Sequence, residues 1–411
     1  MTKTIVILGA GIAGLPLAHH LVSRTAPQHP DLRIVLVSPL THFYWCVASV
    51  RFVLPTTAHT IPEDRYLYPI ADQFANYANS ASQFEFVAGA ASKLDPELNS
   101  VTVKLNDGGS REIAYHTVVV ATGTSYADSM PWKALDSVDE TRASISKLRS
   151  QIDAASSIVI AGAGATGVEF AGELGSAYGK SGKKKITLLS TDPLPLEPRL
   201  KEGVRLTAKK ELEKLGVEYI GPARVTSTST SAATKSGDSS KQTTITITLN
   251  GSGDSNSNES SPATKTLTAD LLIPTYGSKP NTSFVPTSLL CPSSPGRLQQ
   301  DASLRSPSYP NIFVLGDAGA LEPAQAVYAE RQTRHLMTQF TSYLTTGSVS
   351  PYAADPKVVY GLTIGPDRGT GQMGCFQIPS LAVWWVKGRH LGTDRAGNWP
   401  AVGTSNGAWP K

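Results

Sequence analysis

The feature that most constrains this chain is a short glycine-spaced unit that occurs twice. Residues 3–8 (KTIVIL) are β-branched and apolar, the pattern of a strand buried on both faces of a parallel sheet. Glycines follow at Gly9, Gly11 and Gly14, and a helical pattern then runs to about Ser23. Pro16 falls early in that helix, where backbone N–H groups lack intrahelical partners, so it need not break it. A second strand, Arg33–Val37, leads into Ser38. The unit then returns as strand Ser157–Ala161, glycines Gly162, Gly164 and Gly167, a helix from about Thr166 to Tyr178, and strand Lys185–Ser190. Copies this far apart are not a solenoid repeat; they place one unit in each of two domains.

The spacing G-x-G-x-x-G has a chemical reason. Its first glycine makes the tight turn after the strand, the second lets a pyrophosphate approach the backbone, and the third lets helix and strand pack closely. The helix N-terminus adds free N–H donors and positive partial charge. One match alone is weak. Two, each between a strand and a helix, imply two dinucleotides on one chain. An acidic residue normally ends the second strand and binds a ribose hydroxyl. Here Ser38 stands there in the first unit and Ser190-Thr191 in the second, with Asp192 slightly late. A serine hydroxyl can still bond the ribose, which leaves NADH against NADPH open. Lys183, Lys184 and Lys185 read as a solvated turn.

Between the units, His116–Ala121 is a further apolar strand running into Thr122-Gly123, and Asn311–Leu315 is another, running into Gly316-Asp317. A helical stretch, Ala324–Leu344, follows. These elements predict an α/β chain of two dinucleotide-binding Rossmann-type domains with a small C-terminal region. The expected bounds are 1–123 and 281–345 for the first domain, 124–280 for the second, and 346–411 for the remainder. About half of residues 226–266 are Ser or Thr, and only Thr243–Leu249 alternates like a strand. The rest of that insertion reads as an extended, mobile hairpin tip.

Composition removes several function classes. The net charge of +4 is too small to argue for nucleic acid. Cys46, Cys291 and Cys375 lie far apart, with no CxxC and no Cys/His cluster, which argues against a disulfide scaffold, a metal site or a dithiol redox centre. No secretory signal, apolar membrane span or lipidation motif is visible, so a cytoplasmic protein is expected.

Taken in order, GAGIAG, VVVATGT, IAGAGATGVEFAGEL and NIFVLGDAGA resemble the flavoprotein reductases with two dinucleotide-binding domains. HFYWCVASVR and QMGCFQIPSLAVWWVKGRHL are similar to the apoptosis-inducing-factor-like quinone reductases of the ferroptosis-suppressor branch. The resemblance implies FAD on the first unit, with Ala91, Ala121, Thr122, Gly123 and Gly316 among the residues beside it. It implies that Asp317 bonds the ribityl or phosphate portion and that Arg51 lies near the flavin or its pyrophosphate. The second unit would then bind NADH or NADPH, with Glu169 reaching toward the nicotinamide, and Gly277 would mark the return crossover. Pro323-Ala324-Gln325-Ala326 resembles the alanine–glutamine signature beneath the flavin in type II NADH dehydrogenases, which makes Gln325 and Ala326 the acceptor-side candidates. Glu169 and Gln325 are the residues expected closest to the chemistry. Cys46 reads as an inert packed thiol.

The resemblance implies an FAD enzyme that takes hydride from NAD(P)H and passes electrons to a quinone-like small molecule. Two other readings stay open: a flavin-dependent tailoring oxidoreductase of a biosynthetic pathway, and a non-catalytic regulator of the apoptosis-inducing-factor kind. Trp384 and Trp385, beside Lys387 and Arg389, either pack on the body or give the C-terminal region a peripheral membrane contact, and packing is favoured. The oligomeric state is not legible.

Overall fold

A computed structural model of the chain describes residues 2–55, 59–234, 241–251, 264–354 and 356–403. Two parallel sheets carry the two glycine units. The larger has seven strands in the order Ile312–Val314, Thr117–Val120, Lys3–Leu8, Leu32–Ser38, Phe84–Asp95, Ser100–Leu105 and Ser110–Ala114. Its first five strands run parallel, and the last two are antiparallel additions at one edge. Ile5, Val6, Ile7, Val118, Val119 and Val120 are fully buried, as strands covered on both faces require. The strand Ile312–Val314 enters this sheet after the chain has built the second domain. The smaller sheet is wholly parallel, in the order Val217–Ile220, Lys185–Leu189, Ser157–Ala161 and Leu271–Pro274.

The insertion differs from its expected form. Ala223–Thr234, Lys241–Gly251 and Thr264–Ala269 make a three-stranded antiparallel sheet, so the alternating segment has a hydrogen-bonded partner on each side. Thr and Ser accept strand geometry without an alternating apolar signal, which is why the sequence exposed only the central strand. Residues 235–240 and 252–263, where the expected tip falls, lie outside the described residues.

The C-terminal region forms an antiparallel sheet, Val359–Ile364, Arg368–Met373 and Phe376–Ile378, that lies against the second-unit helix Ala165–Leu174. Packing there is close: a Cβ on Gly172 would stand 2.5 Å from the Gly365 nitrogen. Trp45, from the first domain, donates its indole N–H to the Leu391 carbonyl and packs against Trp399 with ring centroids 5.0 Å apart and planes tilted by 49°. Among the described residues no helix is long and apolar enough to cross a membrane.

Candidate functional site

Both glycine turns have the same geometry. Gly9 (φ +104°) donates its N–H to the Val37 carbonyl, and Gly162 (φ +109°) donates to that of Leu189. The Ala121 and Thr275 N–H groups donate to the carbonyls of Leu8 and Ala161, so a crossing strand braces each turn. A Cβ on Gly14 would lie 1.9 Å from the Gly9 carbonyl oxygen, and one on Gly167 would lie 1.8 Å from that of Gly162. These are the contacts that let helix and strand close together. Gly11 and Gly164 differ: a Cβ on either would meet nothing within 4 Å. The open space lies where a pyrophosphate must approach, and the helices Gly14–His20 and Ala165–Leu174 begin without side-chain caps. Both turns fit a dinucleotide.

Around the first turn, Asp317 is the convergent polar group. It sits in a short helical turn, Gly316–Ala318, after strand Ile312–Val314, and is 8% exposed. Its Oδ2 accepts from Thr124 Oγ1 at 3.2 Å and from Lys133 Nζ at 3.1 Å. Burial works against the Lys133 charge, but Cys46 and Asp317 outweigh it and raise the pKa of the ammonium. Lys133 was missed by sequence reasoning, since it stands in a crossover with no motif around it. Gly316 (φ +66°) is wedged against Ala13 and Ala329, so the starts of both flanking helices meet at the Asp317 turn. Gln325 precedes helix Ala326–Thr346 in extended conformation, and its carbonyl accepts from Tyr328 and Ala329. No side chain caps that helix start, and Ala326 is exposed.

The crossovers lie beside this turn. Thr122 and Gly123 (φ +67°) are bonded to Asn281, while Gly277 (φ +78°) opens the return segment toward it. Ser38 ends its strand buried at 5% exposure, opposite Ala88. Ala91 does not share that position. It lies at a β-bulge where Phe84–Asp95 has left the parallel sheet to pair with Ser100–Leu105, so Ala88 is the neighbour of Ser38.

Arg51 is bonded within the protein. Its Nε and Nη2 donate to both carboxylate oxygens of Glu173, at 3.0 and 2.7 Å, and Nη2 and Nη1 donate to the carbonyls of Gly388 and Arg389. Arg51 is 2% exposed and Glu173 is 4% exposed. The guanidinium therefore ties the first domain to the second-unit helix and the C-terminal region, and has one N–H left. Burial pushes the Glu173 carboxyl above its ordinary range against the pull of Arg51.

Glu169, one helical turn before Glu173, is 6% exposed. Its Oε1 accepts from the Thr363 N–H and hydroxyl and from Lys387 Nζ at 2.6 Å. Lys387 was quoted in the sequence only as part of the tryptophan segment. Its pairing joins positions 218 residues apart, and no local pattern could expose it. Ser190 is 7% exposed, and its hydroxyl accepts from the Asp192 N–H. That hydroxyl is engaged within the protein.

Trp384 and Trp385 lie under the Arg389 guanidinium at 5.6 and 5.0 Å. Trp385 is exposed. All three cysteines are free, and among the described residues no cluster of His, Cys, Asp and Glu could hold a metal ion.

Comparison with known proteins agrees with this geometry. An oxidoreductase of Pestalotiopsis fici, ptaL, is 35% identical over 94% of this chain and 95% of its own length. Ferroptosis suppressor protein 1 of Xenopus laevis is 22% identical over 97% of this chain and 96% of its own. The sulfide:quinone oxidoreductase of Aquifex aeolicus shares the fold at a TM-score of 0.71 and 14% identity, covering 98% of this chain and 92% of that one. The family profile of the pyridine nucleotide-disulphide oxidoreductases matches residues 3–333. This chain belongs to that family, and its cofactors are FAD and a nicotinamide dinucleotide.

Proposed function

We propose that this chain takes a hydride from NADH or NADPH onto FAD and passes the electrons to a quinone-like small molecule. The observation that carries the reading is two dinucleotide cradles in a chain whose cysteines are all unpaired. No dithiol is available to relay electrons, so an acceptor has to reach the flavin directly. Gly11 and Gly164 leave room for the two pyrophosphates, and the uncapped helix starts supply N–H donors to them. Asp317, held by Thr124 and Lys133, orients the flavin's polyol chain. Glu169, anchored by Thr363 and Lys387, borders the nicotinamide and excludes water from that side. Gln325 and Ala326, at the start of the last long helix, border the acceptor.

The resemblance to ptaL supports a second reading, in which the acceptor is another small molecule met in biosynthesis. Both readings share the cofactor sites and part only at the acceptor. Peripheral membrane contact of a cytoplasmic enzyme is supported by Met373, Phe376, Leu381, Trp385 and Val386, which are exposed on one hairpin and the helix that follows it.

The test is an anaerobic titration of the purified yellow protein with NADH and NADPH. Bleached flavin bands that return with menadione or a short-chain ubiquinone support the proposal. A flavin that neither coenzyme bleaches overturns it. Reoxidation by other carbonyl compounds but not by quinones favours the second reading.

A further inference from the structure

We infer that Glu322 is a positioning residue, whose buried carboxylate fixes the flavin-side turn at Asp317 relative to the acceptor-side helix start at Gln325 and so sets how fast the flavin is reoxidised. The inference rests on the proposed placing of the acceptor beside Gln325. Asp317 and Gln325 stand at the two ends of one loop, and Glu322 lies between them.

Glu322 is 7% exposed, whereas Leu321, Pro323 and Ala324 around it are exposed. The loop thus turns one charged side chain inward. Its Oε2 accepts from Gln332 Nε2 at 2.8 Å and from the Tyr352 hydroxyl at 3.1 Å. Gln332 is 1% exposed and belongs to helix Ala326–Thr346, which Gln325 precedes. Its Oε1 accepts from the Gly316 N–H at 2.8 Å. One side-chain amide therefore joins the residue before Asp317, the long helix and the carboxylate. On the other side of the loop, Arg297 Nη1 donates to the Glu322 carbonyl at 3.1 Å, and Gln300 Oε1 accepts from the Leu321 N–H at 3.1 Å. The backbone is held there, and the carboxylate supplies the tie to the helix.

The two partners also fix which way the Gln332 amide points. A backbone N–H needs its oxygen, and a carboxylate needs its NH2 group. Burying a carboxylate among neutral donors is unfavourable, and an apolar side chain of similar size could fill the space. What the carboxylate adds is direction, because a hydrogen bond to an ionised acceptor is the strong kind. Without it Gln332 can turn, and the stretch that carries Gln325 loses its inner anchor. The nicotinamide side is built on Glu169 in another helix and does not share this tie.

The experiment compares FAD-loaded wild type, Glu322→Leu, Glu322→Gln, Gln332→Met and the Glu322→Leu/Gln332→Met double variant. Glu322→Leu is expected to slow reoxidation by menadione roughly three- to tenfold, the scale of one hydrogen bond, and to leave bleaching by NADH unchanged. Glu322→Gln should recover most of that rate, since its carbonyl oxygen can accept both bonds that Oε2 accepts. Gln332→Met should reproduce the loss, and the double variant should add nothing to it. Gln332→Met also leaves the Gly316 N–H without its acceptor, so FAD release, followed by flavin fluorescence on dilution, should quicken about threefold. Menadione reoxidation at the wild-type rate in Glu322→Leu or Gln332→Met overturns the assignment. So does equal slowing of both half-reactions, a Glu322→Gln protein as slow as Glu322→Leu, or FAD release unmoved in Gln332→Met. Should Glu322→Leu fail to fold, Gln332→Met alone decides. Gln325→Ala, run in parallel, separates the two readings. Slowing in Glu322→Leu without slowing in Gln325→Ala takes Gln325 out of the acceptor site and keeps Glu322 in its role, and the reverse pattern removes Glu322 alone.

Discussion

Thr122 and Asn281 exchange hydrogen bonds across the two chain crossings between the domains. Thr122 Oγ1 donates to the Asn281 carbonyl at 2.7 Å, and Asn281 Nδ2 donates to the Thr122 carbonyl at 3.0 Å. The Asn281 N–H also donates to Gly123, and Thr124–Ser125 pairs with Lys279–Pro280 as a two-stranded ribbon. Asn281→Ala removes one of these side-chain bonds and leaves a backbone carbonyl short of a donor. We expect a loss of about 1–2 kcal/mol in stability, read by thermal unfolding of the FAD-loaded protein. The variant should also release FAD faster, because the Asp317 turn lies against the same crossing.

The two glycine turns should separate genetically. Gly11→Val and Gly164→Val both place a side chain in open space, so neither should unfold the chain. Gly11→Val should purify without yellow colour. Gly164→Val should keep FAD and resist bleaching by either nicotinamide. Full colour in the first variant would remove FAD from the first turn, and normal bleaching in the second would remove the nicotinamide from the other.

Breaking the buried Arg51–Glu173 pair should cost more than removing it. Arg51→Met leaves Glu173 buried without its cation, with an expected loss of about 3–5 kcal/mol. Adding Glu173→Leu should restore most of that stability, because two desolvated charges then disappear together. A double-mutant cycle by chemical denaturation measures the difference. Additive losses would mean that the two residues do not depend on each other.

Acid should destabilise the first domain through its helix Gly14–His20. Burial lowers the pKa of His19 to about 3, and burial together with Arg24 lowers that of His20 to about 4. His19 is stacked on Phe74 at 4.1 Å and bonded to Tyr77. In the unfolded chain both titrate near about 6.5, so the unfolded state binds more protons below that pH. Stability is therefore full above about 6.5 and falls as pH drops, until the folded-state values are passed. By about pH 5 each imidazole accounts for a loss of about 2 kcal/mol. His19→Phe should flatten the pH dependence of the denaturation midpoint. A midpoint that is unchanged between about pH 7 and 5 in wild type would contradict the argument.

Gln325 should act on only one half-reaction. Gln325→Ala is expected to leave reduction by NAD(P)H intact and slow reoxidation by quinone roughly three- to tenfold, the scale of one neutral hydrogen bond. Stopped-flow mixing resolves the two halves. Equal slowing of both would indicate a general disturbance of the flavin.

What the sequence revealed follows contact range. The glycine turns, their strands and the helix that starts after Gln325 were legible because each is specified within a few residues. Lys133–Asp317, Arg51–Glu173 and Lys387–Glu169 were not, because each joins residues more than a hundred positions apart. Arg51 illustrates the difficulty: the resemblance sets it near the flavin or its pyrophosphate, and only the fold shows that a carboxylate from another domain holds it. Ser190 shows the same limit of range, since only the fold brings the Asp192 N–H onto its hydroxyl.

The matching braces on Gly9 and Gly162 fix more than the turns they touch. In each half the first glycine is tied to the neighbouring strand's end and abuts a residue two places before a crossover glycine, Ala121 in one and Thr275 in the other. The two halves are thus copies of one blueprint with the same tolerances, and neither can lengthen between strand end and turn. The strands Ala223–Thr234, Lys241–Gly251 and Thr264–Ala269 are added outside that span, as a sheet of their own whose Ala223 and Ala269 are buried with Val159 and Leu189 of the smaller sheet, so the addition rests on the second unit while the lengths from strand end to glycine turn stay matched.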